Sequence, residues 1–341
     1  MSSPKNLRLP AQQERVAVTI ATKNRPAYLA ALLASLIQQT YPHWLLVLND
    51  QSDTPVTETA AVRDLLDVMR AQGHPVLLFA SATPTDRYQR LLDAAPSEIE
   101  FIHRIDDDVL LTPNYLETLL RVFAYFPFKP LAAVGGCLAG AHAQPLSLSR
   151  ALAQPNWYPR LDKPTWRLQG HFYRERECIE MQSLWGCAMC YRRSAAQAVG
   201  GWVVAGQSPQ IFREDSDMSA RWLVAGYELM MTTAARAWHL VAPDGGARRV
   251  TKTAQGNLFN SHRAEYQADE NLFRARLAQL VPPNFQPPPP KRYRIADLEN
   301  DVWKPFPLQN RRARAQSALL ARMPRPLQQR LRRMRQALLR R

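Results

Sequence analysis

The sequence predicts an α/β fold with a mostly parallel central sheet flanked by helices. Three observations predict it. Short β-branched or leucine-rich runs recur through the first hundred residues. Stretches with apolar residues at three- and four-residue steps alternate with those runs, so strands alternate with helices. Polar clusters at 22–25, 49–53 and 106–108 each stand directly after an apolar run, and in parallel sheets ligands sit at the carboxyl ends of strands. A chain of 341 residues has room for one large domain or two modest ones. Its 46% hydrophobic and 21% charged residues are those of a soluble globular protein.

In order, residues 16–20 form a first strand, followed by a turn through Thr22, Lys23, Asn24, Arg25 and Pro26. Leu29, Leu32, Leu33, Leu36 and Ile37 then make the stripe of an amphipathic helix. Pro26 suits its first turn, where a missing N–H costs nothing. A second strand over 44–48 ends at Asn49 and Asp50. A helix over 56–70 leads to a third strand at 76–79, and a short helix over 88–94 leads to a fourth at 99–105. A helix spans 113–126, with Thr112 as its cap. Residues 136–180, rich in Pro and Trp, read as irregular. A strand is expected over 184–191, a helix over 214–225, and a strand over 228–233 running towards Trp238 and His239.

The net charge of +15 is uneven. After Asp301 there is no acidic residue, but there are Lys304 and eleven arginines, so twelve of the fifteen charges lie there and the preceding residues carry only +3. The Pro-rich stretch at 284–290 reads as a semi-rigid spacer. The expected organisation is a catalytic domain over 12–280, a Pro-rich linker over 281–310 and a basic, amphipathic helical tail over 311–341. No apolar run reaches the length of a membrane span, and residues 1–14 hold no signal-like stretch, so a cytoplasmic location is expected. Cys187 and Cys190 form a lone C-x-x-C within an apolar run. With no second pair, buried reduced thiols are the expectation over metal or redox use.

The strongest local motif is Asp106-Asp107-Asp108 at the end of an apolar strand. Three adjacent carboxylates repel one another, and a divalent cation with oxygen ligands, Mg²⁺ or Mn²⁺, offsets that. Such an ion would also bridge Asp108 to a diphosphate and favour charge on a leaving nucleotide. The alternative is a solvated acidic turn before the next helix. Glu214, Asp215 and Asp217 make a second acidic cluster at a helix start, where the helix dipole favours carboxylates in any case. The functional alternative is that one of them removes the proton of an acceptor hydroxyl. Asp50 can accept a hydrogen bond from a base imide, Arg87 can reach base or phosphates, and His239 can offer a neutral nitrogen to the metal or serve the fold alone.

Taken in order, VAVTIATKNRPAYLAALLASLIQQTYPHWLLVLNDQSD, IDDDVLLTPNYLE, GGW and REDSDMSARWLVAGYELMMTTAARAWHL resemble family 2 glycosyltransferases with the GT-A fold, across residues 16–239. The resemblance implies a Rossmann-like nucleotide-binding sheet and a nucleotide-diphospho-sugar donor, with uridine as the first base and thymidine or guanosine open. Asn24 and its neighbour Arg25 would lie in the first nucleotide-binding loop, and Asp50 would read the base. The Asp-x-Asp motif falls on Asp106 and Asp108. Asp108 would bind the metal, with Asp106 and Asp107 towards ribose and nucleotide. Asp215 would be the base of a single, inverting displacement, beside Glu214, with Asp217 in reserve. The loop Asn49-Asp50-Gln51-Ser52 departs from the family's two aspartates and a glycine, and Arg87 sits in a poorly matched loop.

Trp157, Tyr158, Trp166 and Trp185 are candidates for stacking on sugar rings or for filling the core. Leu327, Leu331, Met334 and Leu338 recur at helical spacing among arginines. That stripe reads as attachment to an anionic membrane surface, which suits a glycan or lipid-linked acceptor. Packing onto the body or another subunit comes next, and nucleic-acid binding last. The rival functions are a retaining GT-A transferase and a non-catalytic nucleotide- or nucleic-acid-binding protein.

Overall fold

The structure is a computed structural model. It describes residues 16–81, 85–140, 143–154, 166–202, 206–208, 211–243, 245–246, 250–252, 258–260, 263–282, 285 and 291–294. The expected alternation is present in β1 (Val16–Thr22), α1 (Pro26–Ile37), β2 (Trp44–Asp50), α2 (Ala60–Ala71), β3 (Val76–Ala80), α3 (Arg87–Ala94) and β4 (Phe101–Asp106). A 3₁₀ turn, Val56–Glu58, takes up the start of the expected helix over 56–70. Beyond β4 come β5 (Val109–Leu111), α4 (Tyr115–Tyr125), β6 (Leu131–Ala139), α5 (Leu148–Leu152), α6 (Trp166–Gln169), β7 (Glu177–Met181), β8 (Ala188–Arg192) and α7 (Arg193–Ala198). The described elements close with α8 (Glu214–Val224), β9 (Glu228–His239), β10 (Val250–Lys252), β11 (Leu258–Asn260), α9 (Arg263–Leu280) and β12 (Arg292–Arg294).

The large sheet runs in the order β12-β7-β9-β6-β8-β4-β1-β2-β3, with β5 pairing β9 from outside that path. The β1–β2, β1–β4, β2–β3 and β6–β9 pairs are parallel. Strands β5, β7 and β8 run against the other seven. Pairing brings β2 to one side of β1 and β4 to the other, so the strand order reverses at β1. Register sets Thr22 opposite Asp50 and Ala21 opposite Asp106. Three loops therefore leave the sheet side by side at its carboxyl edge, where open α/β sheets leave a crevice.

Helices cover both faces because the strands are apolar on both. Ala17, Leu45, Val47 and Ile102 share one core with Leu91 and Leu92 of α3 and with Met218 and Trp222 of α8. Leu29, Leu32, Leu33 and Leu36 of α1 are fully buried outside that core, and α1 packs beside α2 and β5.

Four expectations are corrected. Residues 136–180 are not irregular throughout, since they hold the end of β6, all of α5 and α6 and all but the last residue of β7. The strand expected over 184–191 begins only at Ala188. Asn114, not Thr112, stands at the N-cap position of α4, without a side-chain capping bond, and the Thr112 hydroxyl donates to the Arg236 carbonyl. Within the expected linker, β12 joins the sheet by antiparallel pairing with β7. It is held there by Arg292 on Glu177, 2.8 Å, and by the Tyr293 hydroxyl on Glu180, 2.5 Å. The basic tail over 311–341 lies outside the described residues, as do Trp157 and Tyr158.

Candidate functional site

A solvent-open cleft of about 170 Å³ lies at the carboxyl ends of β1 and β4. Thr22, Arg25, Arg87, Tyr88, Asp106, Asp107, Asp108, His239 and Ala242 line it, among others. The Asp106 backbone ends β4, and its N–H donates to the Cys187 carbonyl, 3.1 Å. Asp107 turns inward, where it accepts from the Thr22 hydroxyl, 2.7 Å, and from Arg25 Nη1, 3.0 Å. Burial pushes its carboxyl up to about 6, against the pull of Arg25 and Thr22. Asp108 is also buried, and burial alone would raise it. The His239 ring, the Ala242 N–H and Arg25 outweigh that and bring it down to about 2. The Ala242 N–H donates to Asp108 Oδ2 at 3.0 Å, and His239 Nε2 lies 3.2 Å from Oδ1. Desolvation would lower the Arg25 pKa, but Asp107 and Asp108 raise it.

These residues fit a divalent cation. Asp108 Oδ1 and His239 Nε2 stand 3.2 Å apart, close to the spacing of neighbouring ligands on an ion with bonds of about 2.1 Å. The Asp108 carboxyl stays ionised, and a neutral imidazole nitrogen is a common ligand. Among the described residues no three His, Cys, Asp or Glu side chains form a closed cage. Mg²⁺ completes its shell with phosphate oxygens and water in such sites.

The nucleotide-side residues divide. The Asn24 side chain clamps one loop to the next. Its Nδ2 donates to Asp53, 2.8 Å, and its Oδ1 accepts from the Asp53 N–H, 2.9 Å. Asp50 accepts from the Ser52 N–H, 3.0 Å, and the Val56 N–H, 2.8 Å, so its carboxylate organises the second loop. Arg87 is buried at the start of α3 and lines the cleft beside Tyr88.

The second acidic cluster meets the first through one turn. The Gly186 N–H donates to Asp215 Oδ2, 3.0 Å, while the next carbonyl, Cys187, accepts from the Asp106 N–H. Two clusters more than a hundred positions apart thus bracket a single dipeptide. Asp215 is half-buried, and its Oδ1 also accepts from the Ser216 N–H, 2.7 Å. Glu214 is buried in an ion pair with Arg104, 2.5 Å; burial raises its pKa, opposed by Arg104. Asp217 corrects the expectation of a reserve base. Its oxygens accept from Arg221 Nε, 2.7 Å, and Arg276 Nε, 2.8 Å, at 2% exposure, so it ties α8 to α9.

Among the described residues, four non-glycine residues have positive φ: Asn24 at 55°, Ile211 at 46°, Arg213 at 67° and Val241 at 52°. All lie in the segments entering or leaving the site. Such backbone costs free energy and gathers where a site over-determines its loops. At Gly245 a Cβ would stand 2.5 Å from the Asn24 carbonyl, so the segment after β9 closes directly on the first loop.

Tyr88 and the Gly186–Cys187 turn were missed in the sequence. Tyr88 carried no motif, and the turn lay inside an apolar run read as strand. The four cysteines are free thiols. Burial holds Cys137 and Cys178 up at about 12 and raises Cys187 and Cys190 as well; Cys187 is part-exposed and the other three are buried. Trp185 is half-buried, and its backbone N–H donates to Gln169 Oε1.

Comparison with known proteins gives a match to the family model described as glycosyl transferase family group 2, over residues 101–318. A curated relative, Protein CgeD of Bacillus subtilis (strain 168), is 29% identical over 118 residues, which are 33% of this chain and 27% of CgeD. Among solved structures, S. aureus TarS 1-349 in complex with UDP aligns with a TM-score of 0.45 and 14% identity, over 67% of this chain and 61% of that one. GalNAc-T7 with UDP, GalNAc and Mn²⁺ aligns with a TM-score of 0.46 and 14% identity, over 67% and 44%. The chain therefore spans about a quarter of the length of CgeD and less than two thirds of the length of either solved chain.

Proposed function

The chain belongs to glycosyl transferase family group 2, and from that premise we propose that its cleft binds a nucleoside diphosphate sugar and passes the sugar to an acceptor hydroxyl. The observation that carries this reading is that the Gly186–Cys187 turn binds the Asp215 carboxylate on one side and, on the other, the backbone of Asp106, which itself lines the cleft at the sheet's switch point. The domain is of the GT-A type and the donor is a uridine diphosphate sugar. Arg25, Arg87 and Tyr88 frame the nucleotide side of the cleft. Asp108 and His239, with Asp106 towards the same side, would hold Mg²⁺ or Mn²⁺, which when bound neutralises charge on the leaving diphosphate.

Asp215 is the base. Its two oxygens are aimed by the Gly186 and Ser216 N–H groups, and a carboxylate held by backbone donors keeps its orientation without losing its remaining lone pairs. It takes the acceptor's proton while the acceptor oxygen bonds to the anomeric carbon and the bond to the diphosphate breaks. One such displacement inverts the anomeric centre. The acceptor is a glycan or a lipid-linked glycan, and the basic segment 311–341 attaches the protein to an anionic membrane surface at the cytoplasmic face.

The test uses the purified chain with a panel of uridine, thymidine and guanosine diphosphate sugars and Mn²⁺. Slow release of nucleoside diphosphate to water is expected, cancelled by a chelator. Asp215→Asn should reduce turnover by about 100-fold or more with nearly unchanged nucleotide affinity. Turnover that survives in Asp215→Asn removes the base assignment. A wild-type chain that neither binds nor hydrolyses any of the panel sinks the transferase reading. A product of retained anomeric configuration would replace single displacement with a retaining reaction.

A further inference from the structure

Arg104 stands between the two acidic clusters and belongs to neither. It lies on β4 two residues before Asp106, hence on the same sheet face, and is 3% exposed. Three walls of the site touch its guanidinium. Nη2 donates to Glu214 Oε1 at 2.5 Å, at the start of α8. Its Cζ sits over the ring of Tyr88 in the cleft wall, 3.3 Å from the centroid, and 4.8 Å from that of Trp202. Gly186 is the third wall. A Cβ built there would stand 2.6 Å from Arg104 Cζ and Nη1 and 2.8 Å from Nη2. The Gly186 N–H is also the donor that aims Asp215.

The buried charge is not placed for hydrogen bonding alone. Among the described residues, Nε and Nη1 have no hydrogen-bond partner, and leaving buried donors unpaired is unfavourable. A cation seated over one ring and held to one carboxylate by a single hydrogen bond gives up those bonds for position. Only arginine combines a flat, stackable face with a fixed fork; lysine supplies the charge without the plane.

We propose that Arg104 is the positioning residue of the transfer base: it locks α8 and the Gly186 turn against Tyr88, so that Asp215 stands in register with the donor wall. This rests on the glycosyltransferase reading. The Asp215 carboxylate is fixed by a neighbour on each side, Glu214 through Arg104 and Gly186 through its N–H. Both neighbours are seated on the same guanidinium. Displacing that group shifts the base relative to the donor without removing any group that touches either.

Three variants test it, with hydrolysis of the wild type's own nucleotide sugar, UDP affinity and thermal midpoint as readouts. Arg104→Lys keeps the charge and loses the plane. Gly186→Ala keeps the N–H to Asp215, at a φ outside the left-handed region, and displaces the guanidinium. Both should lower kcat by on the order of 10- to 100-fold with UDP affinity close to wild type; the thermal midpoint stays close to wild type in Arg104→Lys and falls in Gly186→Ala, as overpacking requires. Arg104→Met combined with Glu214→Gln removes both buried charges; it should regain the wild-type midpoint without regaining turnover. Unchanged kcat in Arg104→Lys overturns the proposal, as does a matching loss of affinity and midpoint. Recovery of turnover in the double variant overturns it too, because charge neutralisation would then suffice. Failure of the functional reading is a different result, inactivity of the wild type on every nucleotide sugar.

Discussion

Asp107 and Asp108 are adjacent, equally hidden and opposite in character. Each loses water on burial, which favours the protonated form. Asp108 gains a ring nitrogen and a backbone N–H beside Arg25 and falls to about 2, whereas Asp107 has Arg25 and Thr22 and stays near 6. Spacing in the chain says nothing about which carboxylate receives which partners. His103 makes the same point away from the cleft. It is fully buried, and desolvation brings its imidazole down to about 3 from an ordinary 6.5. The folded chain therefore keeps His103 neutral while the unfolded chain protonates it below about 6.5. Its contribution to stability is complete above that pH and declines as pH falls towards 3, by about 2 kcal/mol at pH 5. Urea midpoints of the wild type and His103→Leu should converge or cross by that amount between pH 7 and pH 5. Parallel curves would mean that the imidazole is charged in the fold.

At the scale of elements, β6 is the instructive case. Its sequence, LAAVGGCLA, is rich in alanine and glycine, residues that strands ordinarily avoid, and it was read in part as irregular. It is nevertheless fully buried between β8 and β9. Small residues are needed there because Tyr115 crosses β6 to donate from its hydroxyl to the Ala188 carbonyl, 2.9 Å. A Cβ on Gly136 would stand 2.5 Å from that hydroxyl and 2.8 Å from the Ala235 carbonyl. Gly136→Ala should destabilise the fold by about 1–3 kcal/mol, the usual effect of overpacking, read as a lowered urea midpoint. An unshifted midpoint would show that Tyr115 yields freely. The strands β1, β2 and β4 were legible for the opposite reason: buried parallel strands are continuous apolar runs, and theirs end in polar loops.

At the scale of the whole molecule, charge and chemistry occupy different stretches of the chain. The cleft is built from residues 21–246, while twelve of the fifteen net positive charges follow Asp301. Among the described residues no helix is long and apolar enough to cross a membrane. If the tail attaches the protein to anionic lipid, removing residues 311–341 should release it from phosphatidylserine vesicles in sedimentation assays and leave UDP affinity unchanged. Undiminished vesicle binding by the shortened chain would transfer that role to the body. Sequence alone determined the strand–helix alternation, the loops at the sheet's carboxyl edge and the identity of both acidic clusters, because periodicity and local composition are properties of neighbours in the chain. Tertiary structure decided how those clusters are held. It gave Asp217 to Arg221 and Arg276, aimed Asp215 through the Gly186 amide, and set Arg104 between α8 and Tyr88. Most of these contacts join different elements, from 16 positions apart for Arg104 and Tyr88 to 110 for Arg104 and Glu214, and the protonation and orientation of a buried group depend on which partners replace its water.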